Sequence, residues 1–219
     1  MAADEAFIKV FNDPFFDENG LVLSRVERDG PCWIVDPGLP PQAEQICAHL
    51  TEHALAPVAI VLTHAHGDHI AGIDEIRAAH PELPLYLARE EWPLLTDPME
   101  NLSGRHGVGV TAQPDHLHDL APGDTLTLAD TTWTVLDSSG HSPAGRTLYC
   151  ATLKLALVGD AVFAGSVGRM DFHHSDGDGL MRNIRENILT LPDDTTLIPG
   201  HGPATTVGRE RRTNPYLQD

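Results

Sequence analysis

Thr63-His64-Ala65-His66-Gly67-Asp68-His69 sets three imidazoles and a carboxylate within six positions, directly behind the apolar run Val58-Ala59-Ile60-Val61-Leu62. Imidazole and carboxylate are the ligands that Zn²⁺ and other borderline divalent ions accept. A packed core gains nothing from four such groups side by side, because each would need its own buried partner. A strand that runs straight into them is one wall of a metal site, and the rest of the chain is expected to complete it.

Outward from this stretch the pattern alternates between strands and helices. Towards the N-terminus, 7–12 and 20–36 read as strands, with Leu21–Val26 and Cys32–Val35 flanking a hairpin signal at Asp29-Gly30. Asp36-Pro37-Gly38 breaks the chain, and Ile46, Leu50 and Ala54 recur at helical spacing over 42–54. Beyond the motif a helix is expected over 70–80, stopped by Pro81, then a short strand at 85–87 and a short helix at 89–95. Residues 96–122 are rich in Gly, Pro, Asn, Asp and His and read as loop. Strands follow at 126–128, 132–136, 147–150 and 153–158. Leu180, Ile184 and Ile188 mark a helix over 177–191, and 195–198 is a last strand.

Three later segments repeat one design, a strand that ends in a glycine followed at once by a ligand type. They are Gly140-His141 after Val135-Leu136, Gly159-Asp160 after Leu155–Val158, and Gly200-His201 after Leu197-Ile198. Glycine lets the backbone turn tightly there, so that ligands from separate strands can converge on one sheet edge. The candidate metal ligands are therefore His64, His66, Asp68, His69, His141, Asp160 and His201.

Composition sets the outer bounds. A chain of 219 residues with 41% hydrophobic residues can form a sizeable core, and 1–219 is expected to be a single domain. No apolar stretch approaches the ~18 residues of a bilayer span, and Met1-Ala2-Ala3-Asp4-Glu5 lacks the basic-then-apolar plan of a signal peptide. Cys32, Cys47 and Cys150 are scattered with no CxxC, which points to a reducing cytoplasm. A net charge of -18 argues against a nucleic-acid partner, which would need clustered Lys and Arg; no membrane partner is expected either.

THAHGDH, then Gly140-His141-Ser142-Pro143-Ala144-Gly145, the lone Gly159-Asp160 and Gly200-His201-Gly202, in this order on a strand-rich chain, resemble the metallo-β-lactamase superfamily of binuclear hydrolases. The motifs extend from about residue 20 to the C-terminus. The resemblance implies an α/β fold, an αββα sandwich with its metals at one edge of the two sheets. It implies that one metal takes His64, His66 and His141, that a second takes Asp68, His69 and His201, and that Asp160 bridges them. The cofactors would be two divalent ions, zinc in first place and iron or manganese as alternatives, since His and Asp accept all three. A bridging hydroxide would be the nucleophile, because coordination lowers the pKa of water from 15.7 to about 7. Asp68 would orient it, and no Ser or Cys nucleophile is needed. Ligating imidazoles are expected to donate their second N–H to carboxylates or carbonyls, partners that the sequence does not identify.

Asp160 separates the branches. True β-lactamases of the superfamily carry Cys or Ser where the bridging Asp would sit, so this chain resembles the thioesterase and phosphodiesterase branches. Phe163 to Phe172, with Gly168-Arg169-Met170-Asp171-Phe172 at its end, is similar to the glyoxalase II-like hydrolases. There a basic residue after the Gly helps hold the carboxylate of a glutathione thioester; by position this is Arg169, with Asp171 and Phe172 beside it as substrate contacts. A guanidinium suits bidentate carboxylate binding, although a structural ion pair is the alternative. Only 18 residues follow His201, so the additional C-terminal helical substrate domain of the best-known glyoxalase II enzymes is not expected. Gly208–Pro215 resembles the ending of short single-domain relatives, with Arg211 and Arg212 read as a solvated basic turn.

The function so implied is hydrolysis of a small-molecule thioester, a 2-hydroxyacyl-glutathione or related compound, by a monomer or homodimer. Three readings stand beside it. A mononuclear-iron persulfide dioxygenase would share the THxHxDH pattern and use His64, His141 and Asp160 as ligands. Lactone or phosphodiester hydrolysis would use the same metals, and a non-catalytic metal-binding module is disfavoured by the intact ligand set. The loop 96–118 is expected to cover the site entrance, with Gly104, Gly107 and Gly109 permitting movement. His116 and His118, and His173 and His174, are secondary candidates; His49, His53, His80 and His106 read as ordinary structural histidines.

Overall fold

Alternation along the strands decides how the layers stack. In a computed structural model, which describes residues 6–218, two six-stranded sheets carry the chain. Met1–Glu5, considered above as a leader, lie outside the described residues. The first sheet is β1 (Phe7–Asn12), β2 (Asn19–Ser24), β3 (Pro31–Val35), β4 (Ala56–Val61), β5 (Leu85–Leu87) and β6 (Leu117–Asp119), side by side in that order. Two helices lie among them, α1 (Gln42–His53) and α3 (Ile73–Ala79), with the single turn α2 (Gly67–Ile70) between β4 and α3. The second sheet contains β7 (Thr125–Leu128), β8 (Thr131–Asp137), β9 (Arg146–Cys150), β10 (Leu155–Gly159), β13 (Thr196–Pro199) and β14 (Thr205–Thr206), in the order β14-β13-β10-β9-β8-β7. A small hairpin of β11 (Val162–Phe163) and β12 (Ser166–Val167) follows β10, and α4 (Gly177–Asn183) and α5 (Val207–Thr213) complete the chain.

Successive residues of a strand point to opposite faces. On β3, Cys32 and Ile34 pack with Ile46 and Leu50 of α1 and with Ile73 and Ile76 of α3. Trp33 and Val35 face the other sheet, where the Trp33 and Trp133 rings are 5.6 Å apart. On β10, Leu155 and Leu157 point into this shared core, while Ala156 and Val158 meet Leu180, Ile184 and Ile188 on the far side. The result is the expected αββα sandwich. Ile34 and Ile60 are fully buried, and each such side chain contributes about 1.5–3 kcal/mol.

The topology gathers the ligand-bearing turns. β10 and β13 are parallel, and β8 lies two antiparallel steps from β10, so all three point the same way. Their C-terminal ends, and that of β4, open on one edge; the Arg146 N–H donates across the sheets to the Thr63 carbonyl at 2.9 Å.

Several local expectations need correction. The 70–80 helix begins earlier, at Gly67, and is interrupted before Ile73, so that Asp68 and His69 sit on a helical turn. The Gly72 N–H leaves the helix ladder to bond the Pro37 carbonyl at 2.8 Å. The 177–191 helix divides into α4 and a wider π-type turn over Ile184–Ile188. Within the supposed loop of 96–122, residues Leu117–Asp119 form the edge strand β6. The basic C-terminal turn is the helix α5. The Thr206 hydroxyl caps it by accepting the Arg209 N–H, and Arg211 binds Asp193 and the carbonyls of Leu189 and Leu191. Seven residues with one apolar anchor, Val207, are too few for a helical period to show.

Candidate metal centre

All seven sequence-selected ligands meet at this edge. His64 and His66 leave β4 on an extended stretch, and His66 is the residue that starts α2, which then carries Asp68 and His69. His141 lies in the turn between β8 and β9, Asp160 directly follows β10, and His201 follows β13 after Gly200. Gly159 adopts a left-handed conformation (φ 49°), and a Cβ there would strike Thr63. At Gly200 a Cβ would lie 2.2 Å from the Asp160 carboxylate and 2.7 Å from the His69 ring, so only glycine allows the two loops to approach.

Two clusters result. His64 Nε2 and His141 Nε2 lie 3.1 and 3.0 Å from His66 Nδ1. On the other side His69 Nε2 lies 3.3 Å from His201 Nε2, and Asp68 Oδ2 is 3.5 Å from the same His201 nitrogen. Asp160 stands between them, with Oδ2 3.3 Å from His141 Nε2 and 3.4 Å from His201 Nε2, and Oδ1 3.6 Å from His69 Nε2. The ligand atoms of each triad fall within 4.8 Å of one another.

The outer edges of these rings show that the inner nitrogens are free to ligate. His64 Nδ1 meets the Thr63 hydroxyl at 3.1 Å, and that hydroxyl already donates to Asp36. His69 Nδ1 meets Asp36 Oδ2 at 3.2 Å, His141 Nδ1 the Arg169 carbonyl at 2.9 Å, and His201 Nδ1 the Phe16 carbonyl at 2.9 Å. His66 Nε2 faces His174 Nε2 at 3.0 Å. Each ring thus has an outward partner for one nitrogen and turns the other towards the cluster, the arrangement expected of metal-ligating imidazoles. Nitrogens around a tetrahedral ion at ~2.0–2.1 Å stand about 3.3 Å apart, close to the separations here. Asp160 Oδ1 is buried without a hydrogen-bond partner, an atom that a cation would satisfy. The residues fit a pair of divalent ions.

The two clusters differ in charge. Burial, then the rings of His69 and His66, push His64 well below its ordinary pKa; burial and His141 do the same to His66. At His201 burial acts in the same sense, but Asp160 and Asp68 overcome it and raise the pKa to about 10. His69 is also raised, Asp160 and Asp36 outweighing its burial. Asp160 is held well below the carboxylate range: burial opposes ionisation, and His201 and His69 prevail.

The site opens into a cavity of about 290 Å³ with an apolar wall of Leu39, Leu102, Val108, Val110, Phe163 and Phe172. Three of these belong to the 96–118 loop, which therefore lines the entrance as expected. The loop is braced rather than loose: the Asn101 carbonyl accepts the Gly67 N–H at 2.8 Å, and the Asn101 amide donates to the carbonyls of Leu94 and Val110. Arg169 also borders the cavity, but its guanidinium grips Asp171 in a two-pronged pair of 3.0 Å bonds and lies 4.5 Å from the centre of the Phe172 ring. Phe172 packs edge-on against His66 and His141. Asp171 does not line the cavity; it holds Arg169.

His116 and His118 stay away from the ligands, His118 stacking on Tyr86 at 4.9 Å. His174 reaches them. Two buried acids that support the cluster were not read as site residues from the sequence. Asp36 accepts from the N–H and hydroxyl of Thr63 at 2.8 and 2.6 Å as well as meeting His69. Val35-Asp36-Pro37-Gly38 is a strand running into an acid, the design already noted at Asp160, so a signal existed. Glu91 accepts the N–H groups of Ala65 and Ala144 at 3.1 and 2.7 Å and so ties the first ligand loop to the His141 loop. Burial raises its pKa; its position in an ordinary short helical stretch offered no signal.

Two sheets between helices, with a histidine-aspartate cluster at one edge, define a metallo-hydrolase fold. The metallo-beta-lactamase superfamily model matches residues 23–201, and the chain belongs to that superfamily. It is 39% identical over 192 residues to the probable metallo-hydrolase YqgX of Bacillus subtilis, covering 86% of this chain and 88% of that one. It is 32% identical over 186 residues to the hydroxyacylglutathione hydrolase GloC of Haemophilus influenzae, covering 84% and 86%. Among solved structures, the BLEG-1 B3 metallo-beta-lactamase superposes with a TM-score of 0.89 at 36% identity over 97% of this chain and 100% of that one. TTHA1623 in a di-iron-bound form gives 0.81 at 34% identity over 96% and 100%. Among the described residues no helix is long and apolar enough to cross a membrane.

Proposed function

We propose that this chain is a glyoxalase II-like thioester hydrolase with two divalent cations, zinc foremost, acting on a 2-hydroxyacyl-glutathione or a related small-molecule thioester. The observation that carries the proposal is Asp160: one carboxylate lies within 3.3–3.6 Å of imidazoles from both clusters, which suits a bridge between two cations. The likeness to GloC supports the substrate class, and the di-iron form of TTHA1623 supports two ions in such a site.

His64, His66 and His141 would hold one cation, Asp68, His69 and His201 the other, and Asp160 both. Bound there, the pair supplies a water of lowered pKa and polarises the acyl carbonyl. Asp68, about a quarter exposed at the cavity floor, can accept a hydrogen from the attacking water and so aim its oxygen. Water adds to the acyl carbon, the C–S bond breaks, and the acid and the thiol leave, the sulfur carrying away one proton. The apolar wall keeps bulk water from the acyl arm.

The test is thiol release from S-lactoylglutathione and a panel of other acyl thioesters by protein loaded with zinc, iron or manganese. Metal-dependent release well above a His64→Ala control is expected. No release from any thioester, with turnover of a β-lactam, a lactone or a phosphodiester instead, would overturn the proposal. Oxygen uptake with glutathione persulfide by a one-iron form would replace it with the dioxygenase.

A further inference from the structure

Four of the five ligand imidazoles spend their outer N–H on groups of a familiar kind: a hydroxyl that itself donates to Asp36, the Asp36 carboxylate, and two backbone carbonyls. His66 is the exception. Its Nε2 points at another imidazole, His174 Nε2, 3.0 Å away, and the two ring centres are 5.3 Å apart. With a cation on His66 Nδ1, beside the inward nitrogens of His64 and His141, the hydrogen of His66 must sit on Nε2, and His174 Nε2 is the atom placed to accept it.

We propose that His174 is a positioning residue for His66: its Nε2 accepts the His66 Nε2–H, fixes that tautomer and holds the ring with Nδ1 aimed at the first cluster. This rests on His66 being a ligand. His174 is itself held in place. Its Nδ1, which carries the hydrogen when Nε2 accepts, lies 3.3 Å from His173 Nε2 in a cluster that both rings share with Glu100 of the loop over the cavity; Glu100 accepts the His173 Nε2–H at 2.9 Å, and His173 Nδ1 accepts from Arg105 at 2.8 Å. The loop that roofs the site and the brace behind a first-cluster ligand are thereby fastened together.

Glu100, His173 and His174 also offer three ligand atoms within 4.8 Å, and a third cation is the rival reading. The hydrogen bonds decide against it. Arg105 donating into Nδ1 leaves the hydrogen of His173 on Nε2, so the lone pair that a cation would need there is absent, and a guanidinium stands beside it. The trio is a hydrogen-bonded brace.

Partners of this kind typically change metal affinity 10–100-fold when removed. The test titrates the full chain with Co²⁺ against a competing chelator, following both the visible spectrum and the stoichiometry. In His174→Ala the first-cluster equivalent should weaken about 10–100-fold and its spectrum shift, while the second cluster changes less than about threefold. In His174→Gln, whose Oε1 falls near the position of the imidazole Nε2, affinity should return to within about threefold. Unchanged Co²⁺ affinity in His174→Ala overturns the proposal. So does equal weakening of both equivalents with a lowered Tm and no rescue by Gln, which would mark simple packing. A third bound equivalent lost in His174→Ala overturns it in favour of the cation site. His66→Ala in the same titration separates the two levels: if the first equivalent survives that change, the reading of His66 as a ligand fails, whereas its loss alongside an indifferent His174→Ala sinks the brace alone.

Discussion

The two halves of the ligand cluster are made of similar residues and set in opposite electrostatic surroundings. His64, His66 and His141 crowd one another, and burial together with neighbouring rings holds His64 and His66 neutral far into acid. Asp68, His69 and His201 share their space with Asp160 and Asp36, and His201 keeps a proton up to about pH 10. One half therefore offers the lone pairs of His64 and His66 at neutral pH. In the other, the imidazoles of His69 and His201 hold protons that an arriving cation must displace. The contrast teaches that charge pattern, rather than ligand identity, decides which ion position competes with acid.

Asp160 is the group on which this contrast turns, and its loss should have the largest effect. Asp160→Asn keeps the shape but removes the charge shared by both halves. Binding of the second equivalent should weaken at least about a hundredfold, with metal analysis approaching one ion per chain and thioester turnover falling in parallel. Two tightly held ions in that variant would show that Asp160 is no bridge.

Acid should separate the halves next. Below about pH 10 a cation arriving at His201 Nε2 displaces a proton, so affinity for the second equivalent should fall about tenfold for each unit from pH 9 to pH 7. The first equivalent should be flat over that range, because His64 and His66 lose their lone pairs only well below pH 6.5. Calorimetry in two buffers of different ionisation enthalpy counts the released protons: at least about one for the second equivalent at pH 7, near zero for the first. Equal release at both steps would abolish the distinction.

Asp36→Ala should blur the halves instead. Asp36 reaches His69 directly and His64 through Thr63, so both equivalents should weaken about tenfold or more. The orphaned Thr63 N–H and hydroxyl should also cost about 1–3 kcal/mol of stability, a Tm lowered by roughly 2–12 °C for a chain of this size. Weakening confined to one equivalent would refute this shared support. The smallest effect belongs to the cavity rim. Asp171→Asn frees the Arg169 fork, and because exposed pairs are worth about 0–1 kcal/mol, KM for a carboxylate-bearing thioester should fall by no more than about fivefold. The kcat and metal content should not change; a change in metal content would mean that the pair supports His141 through the Arg169 carbonyl.

How much of this was legible follows from the range of each interaction. The seven candidate ligands were readable because each sits in a short local pattern, either the Thr63–His69 stretch or a strand followed by glycine and a donor. The sandwich followed from the family resemblance that those motifs carry, and alternation along β3 and β10 is the physical reason its layers stack. Glu91, by contrast, works on Ala65 and Ala144, 26 and 53 residues away, and nothing near it in sequence announces either partner. His174 bonds a ring 108 residues distant. Asp36 was visible as a chain break but not as an acceptor, since its partners lie 27 and 33 positions on. The helix α5 is held by Arg211 contacts to the turn after Ile188, which no local periodicity reports.

Sequence alone determined the chemistry of the donors and the strand ends that present them, because ligand type and backbone turn are properties of adjacent residues. Tertiary structure alone decided which nitrogen of each imidazole faces inward, where protons reside, and that Arg169 is engaged by Asp171 at the cavity rim. Those outcomes depend on the sum of fields and hydrogen bonds from segments far apart in the chain, which become neighbours only when the two sheets close on each other.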